Sequence, residues 1–129
     1  MVGLIWFVQI VHYPMFKDIG CDLFAAYEQK HQRLTTLVVG PVMLVELTAA
    51  MLLLNSGADS VRYLAVGGAV LIAMIWISTA LLQVPLHRKL ESGFQHDVWA
   101  KLVLTNWIRT VAWTARGMIS VSMLWRQMS

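Results

Sequence analysis

Residues 63–86, YLAVGGAVLIAMIWISTALLQVPL, contain no charged side chain. About 20 such residues suffice to carry a helix across the hydrocarbon layer of a bilayer, and this run is longer than that. A second apolar run, 34–58, is broken only by Glu46, and a third, 98–125, only by Lys101, Arg109 and Arg116. The opening MVGLIWFVQIVHYPMF is also uncharged but has 16 residues, so it completes a span only if further residues precede it or the bilayer thins locally. It lacks the basic leader and small-residue cleavage site of a signal peptide. Composition agrees: 58% of residues are apolar and 13% charged, against about a quarter charged in soluble globular domains.

The length of 129 residues suits one domain, 1–129. The pattern predicts four helices, near 2–16, 28–54, 62–86 and 98–125, joined by short loops that make neighbours antiparallel. The fold class expected is therefore all-α, an antiparallel four-helix transmembrane bundle. The middle loop, NSGADS, has turn residues, and Ser60 is placed to cap the third helix. Pro41 should kink the second helix. Ala65, Gly68, Ala69 and Ala73 make a small-residue face for close helix packing. Lys17, Lys30 and Arg33 flank the first loop and Arg88, Lys89 and Lys101 the third, which places both loops in the cytoplasm. The formal charge of +3 is spread beside the apolar runs and forms no stripe for nucleic acid. The single cysteine, Cys21, forms no internal disulfide and implies no oxidising compartment.

Ionisable groups inside a bilayer cost about 2.5 to 3.5 kcal/mol each on insertion scales, so they should face inward. Asn106, Arg109, Trp113, Arg116 and Ser120 fall on one face of the fourth helix. Glu28, His31, Thr35, Val42 and Glu46 share a face of the second, Trp76, Thr79, Gln83 and His87 a face of the third, and Gln9, His12 and Tyr13 cluster at the end of the first. Glu46 requires a partner, for which Arg109 or Arg116 is the candidate, with Arg116 also able to snorkel to the interface. Arg109 could instead receive an anionic ligand. Antiparallel order brings His12, His31, His87 and His96 to the same side. Imidazoles that meet there suit haem or a transition metal, with His12, His31 and His87 as ligands. Glu28 and His31 have the Glu-x-x-His spacing of di-iron bundles, but a second such motif is missing. Trp99 and Trp125 occupy interfacial belt positions. The ends of the first and third helices echo each other, Gln9, His12, Pro14 against Gln83, Pro85, His87, in the manner of an old duplication with altered spacing.

The stretches GLIWFVQIVHYPMF, FAAYEQKHQRLTTLVVGPVMLVE, LLQVPLHRKL and NWIRTVAWTAR together resemble a group of small, uncharacterised bacterial four-helix membrane proteins, over nearly the whole chain. That resemblance implies a multi-pass protein of the bacterial inner membrane. Trp6, Pro14 and Phe16 in the first helix, followed by a segment running from Glu28 to Gly40-Pro41-Val42-Met43, are similar to the membrane-bound protoporphyrinogen oxidase-like family. In that family a first-helix histidine binds haem, a role that would fall on His12. Val84-Pro85-Leu86, with His87 where an asparagine is expected, looks like the anthrone oxygenase-like membrane family.

The site expected is built from His12, Glu28, His31, Gln83, His87, Asn106 and Arg109. It suits a redox or oxygenase-like membrane enzyme acting on a hydrophobic or tetrapyrrole-like small molecule, with haem or a metal as cofactor. The competing expectation is a non-catalytic subunit, pigment-binding or structural, of a larger photosynthetic or respiratory complex. A homo-oligomer fits either.

Overall fold

A computed structural model describes residues 1–55 and 61–128. Every regular element among them is helical. The first, α1, is α-helical over Val2–Phe7 and widens into a π-helical turn over Val8–His12, followed by a tight 3-10 segment, Pro14–Asp18. Helix α2 spans Cys21–Asn55. Helix α3 spans Arg62–Leu90, with a second π-helical turn inside it at Thr79–Gln83. Helix α4 spans His96–Met128. The turn expected in NSGADS and the cap at Ser60 lie outside the described residues, apart from Asn55, which ends α2.

Two boundaries differ from expectation for the same reason. Helix α2 starts at Cys21 and not near 28, and α3 runs on through His87, Arg88 and Lys89 to Leu90. Charge ends an apolar run without ending a helix, since Glu, Lys and Arg are good helix formers. Asp22 in the first turn of α2 also complements the helix dipole. The first loop shrinks accordingly to Ile19 and Gly20. Beyond α3, Gly93 adopts a φ of 128°, a conformation that side chains disfavour, and donates its N–H to the Leu90 carbonyl at 3.0 Å. This turn lets the chain reverse within a few residues. Pro41 sits inside α2, which continues through it as one α-helix.

Three apolar clusters lie along the molecule. Tyr13, Phe16, Phe24, Leu90 and Leu102 form one; Ile5, Met43, Ile72, Ile75, Ala112 and Trp113 are in the next; Val61, Ala65 and Met123 form the third. Helix α3 meets them in the order third, second, first, and α4 in the reverse order. Between the first and second clusters lies a layer of buried polar groups that includes Gln9, Gln83, Asn106, Arg109 and Thr110. The outer surface is the opposite: Leu37, Val45, Leu52, Val70, Leu81 and Leu104 are all exposed.

Helices α2 and α3 are long and apolar enough to cross a membrane. Helix α4 is long enough, but the polar stripe along it lowers its apolarity below that of the other two. Of the small residues on α3, Ala65 and Gly68 are buried and Ala69 half-buried, whereas Ala73 is exposed. The close-packing face therefore shifts to Ala65, Gly68, Ile72 and Ile75, one helical stripe. Val42 on α2 is likewise exposed, away from the face it was expected to share with Glu28.

Candidate functional site

Three helices contribute one hydrogen-bonded chain. His87 of α3 lies 2.5 Å from Glu28 Oε1 of α2 through Nδ1, and 2.9 Å from the Tyr13 hydroxyl at the end of α1 through Nε2. With Glu28 as a carboxylate, Nδ1–H donates to it, which leaves the Nε2 lone pair to accept the phenolic proton. Glu28 is fully buried, Tyr13 nearly so, and Glu28 Oε2 has no partner. Gln32 donates from Nε2 to Glu28 Oε1 at 3.3 Å and to Glu91 Oε1 at 2.9 Å, tying the carboxylate to the end of α3.

Beside this chain, His12 Nε2 and His31 Nδ1 share a hydrogen bond of 2.9 Å, with Thr35 Oγ1 3.1 Å from the same His31 nitrogen. The rings of His31 and His87 stand 5.4 Å apart. Phe16 packs edge-on against His12, His31 and His87. His96 takes no part. Its side chain is 76% exposed, 3.9 Å from Asp97, and its ring rests against Trp99. Three of the four histidines therefore meet, because only those three sit on helix faces turned inward.

The two π-helical turns present the glutamines. In each, the widened turn is closed by a bond five residues back, from Tyr13 N–H to the Val8 carbonyl and from Val84 N–H to the Thr79 carbonyl. A proline follows each turn, Pro14 and Pro85. Proline cannot donate to the preceding turn and crowds its carbonyls, and a wide turn relieves that conflict. Gln9 donates to the Val103 carbonyl at 3.1 Å and accepts from Asn106 Nδ2 at 2.9 Å and Thr110 Oγ1 at 3.3 Å. Gln83 donates to Thr105 Oγ1 at 3.0 Å. Both glutamines thus grip one stretch of α4, Val103–Thr110. Trp99, read as a belt residue, instead donates its indole N–H to the Tyr13 carbonyl at 2.8 Å and fastens the end of α1.

Arg109 donates from Nη1 to Asn106 Oδ1 at 3.2 Å, and its Nε is buried without a partner. Among the described residues no carboxylate forms an ion pair with it. Arg116 is different: its Nε lies 3.7 Å from Glu46 Oε2. It is also buried, so it does not snorkel. A cavity of about 350 Å³ opens between α2, α3 and α4, with Tyr13, His31, His87, Gln83 and Arg109 on its wall and Val39, Met43 and Trp76 among its apolar lining. A groove of about 460 Å³ between α1 and α2, lined mainly by apolar side chains, reaches His31, Thr35 and Val39 from the other side.

The structure brings together His12, Glu28, His31 and His87 as one group and Gln83, Asn106 and Arg109 as its neighbour. Missing from the expected set were Tyr13, Gln9, Gln32, Glu91 and Thr110. Tyr13 and Gln9 had a signal, their place beside His12 in an apolar run; Gln32 and Glu91 had none, since polar residues near charged helix ends look alike in sequence whether half-buried or exposed. Among the described residues, no three His, Cys, Asp or Glu side chains group as a metal site. A haem held between His12 and His31 does not fit this arrangement: their nitrogens are 2.9 Å apart, whereas two nitrogens on either side of one metal stand about 4 Å apart. The chain matches no known family model, no curated protein and no solved structure.

Proposed function

We propose that this chain is an integral protein of the bacterial inner membrane, four antiparallel transmembrane helices. In our reading it is a redox or oxygenase-like enzyme that acts on a hydrophobic small molecule held in the cavity between α2, α3 and α4. The observation that carries the enzymatic reading is the buried chain Tyr13–His87–Glu28, assembled from three helices and opening on that cavity. Its logic is that of a carboxylate that orients an imidazole, which in turn takes a proton from a hydroxyl. Having yielded its proton to His87 Nε2, Tyr13 would take a proton from the substrate as a phenolate, and Arg109 would stabilise the negative oxygen left on the substrate. The many exposed large apolar side chains, together with a buried layer of polar groups, support the membrane assignment.

Proton transfer by a positioned side chain contributes about 10²–10⁴-fold. Protein in lipid nanodiscs should consume oxygen with a member of a panel of apolar ketones, phenols and quinols, and His87→Ala and Tyr13→Phe should each reduce that rate by about 10²-fold or more. The alternative, a pigment-binding or structural subunit of a larger photosynthetic or respiratory complex, is favoured by the apolar groove with His12 and His31 on its wall. Copurification with subunits of such a complex, and no turnover of any compound in the panel, would establish it and remove the enzyme.

A further inference from the structure

The cavity beside Arg109 has a chemical character of its own. Three polar atoms at its wall are buried and without partners: Arg109 Nε and Trp76 Nε1, both donors, and Gln83 Oε1, an acceptor. Arg109 is 7% exposed and Gln83 2%. A guanidinium removed from water needs a counter-charge, and α4 supplies a direct comparison. Arg116, two turns further on, has Glu46 Oε2 at 3.7 Å; among the described residues Arg109 has only the amide oxygen of Asn106 and the neighbouring Tyr13 phenol. Two unpaired N–H donors on one cavity wall, one of them part of a guanidinium with no carboxylate beside it among the described residues, repel cations and suit an oxyanion. Polar side chains, among them His31, Thr35, Thr36 and Thr79, also line the wall, but most of its surface is apolar, with Val39, Met43 and Val84 contributing.

We infer that this cavity binds an apolar molecule through a single oxyanion, a carboxylate or a phenolate, received by Arg109 and Trp76, with any adjacent hydroxyl donating to Gln83 Oε1. The body of the ligand fills a space of about 350 Å³ against Val39 and Met43. Its approach is from the lipid side, by way of the groove that shares His31, Thr35 and Val39 with the cavity as lining residues. The inference rests on the proposed function for the cavity's role and adds the class of molecule it selects.

The test uses 6-bromo-2-naphthoate and its neutral methyl ester, with the whole protein in nanodiscs of uncharged lipid, read by bromine quenching of tryptophan fluorescence and by thermal shift. The carboxylate should bind about tenfold more tightly than the ester. Trp76→Phe should remove most of the quench, Arg109→Gln should abolish the preference for the carboxylate, and Arg116→Gln should leave it intact. Should Arg109→Gln fail to fold, Trp76→Phe must still weaken the carboxylate more than the ester in the thermal shift. Equal binding of acid and ester by the native protein, or an Arg109→Gln protein that keeps the preference, overturns the inference. His87→Ala and Tyr13→Phe separate it from the reading of the enzyme. Preference for the acid with no turnover of any compound leaves the binding site standing and removes the catalysis, and turnover without charge selectivity does the reverse.

Discussion

Arg109 and Arg116 lie seven residues apart on one face of α4, yet their surroundings differ in a way that side-chain identity does not announce. Arg116 faces Glu46 and folds over Gly68, whose missing side chain makes the room: a Cβ there would stand 2.7 Å from Arg116 Nη1. Gly67, its neighbour, would meet only Ile119 at 3.7 Å. Gly68→Val should therefore displace Arg116 from Glu46 and cost about 1–3 kcal/mol, whereas Gly67→Ala should be close to neutral. Thermal unfolding of the two variants in the same detergent checks this, and equal effects would show that the guanidinium does not depend on Gly68. The need for an inward partner for Glu46 was legible from its place in an apolar run. Which arginine meets it was not, because both share the face and only the pairing of α2 with α3 and α4 selects between them.

At the scale of elements, the two π-helical turns decide where the site points. Each adds a residue to a turn, which rotates all that follows by about 100°. Without them Gln9 and Gln83 could not both be directed at α4, nor His12 and His87 at α2. The echo between Gln9-His12-Pro14 and Gln83-Pro85-His87 was visible in the sequence, and in both segments a wide turn precedes the proline. The wide turns themselves were not visible, since a π turn has no hydropathy signature of its own. Pro85→Ala restores a backbone donor and removes a residue that is about 3 kcal/mol less favourable than alanine in a helix interior. It should raise the unfolding temperature in detergent while weakening binding of the naphthoate probe, because a regular turn would swing Gln83 and His87 off their partners. A variant that is more stable and binds as before would show that the wide turn has no part in the site. Helix ends were less legible than helices: α2 and α3 both continue past the apolar limit, and those extra turns carry Phe24, Tyr27 and His87 into the aromatic and imidazole cluster.

Among the described residues a buried polar layer lies between apolar clusters while many large apolar side chains are exposed, a distribution that suits the proposed bilayer setting. The proposed topology puts the loop between α1 and α2 in the cytoplasm, and Cys21, exposed and free, stands at its edge as a natural reporter. A maleimide that cannot cross membranes should label Cys21 in inverted inner-membrane vesicles and not in intact spheroplasts. Labelling only from the outer side would reverse the orientation read from Lys17, Lys30, Arg33, Arg88 and Lys89.

The number of helices, their approximate places and the inward turn of their polar stripes were determined by the sequence itself, because hydropathy and helical period are local properties of a chain. The grouping of His12, Glu28, His31 and His87, and the separation of Arg109 from every carboxylate among the described residues, were decided only by tertiary structure. Those relations depend on how helices far apart in sequence rotate and cross, and the two wide turns contribute to that rotation here.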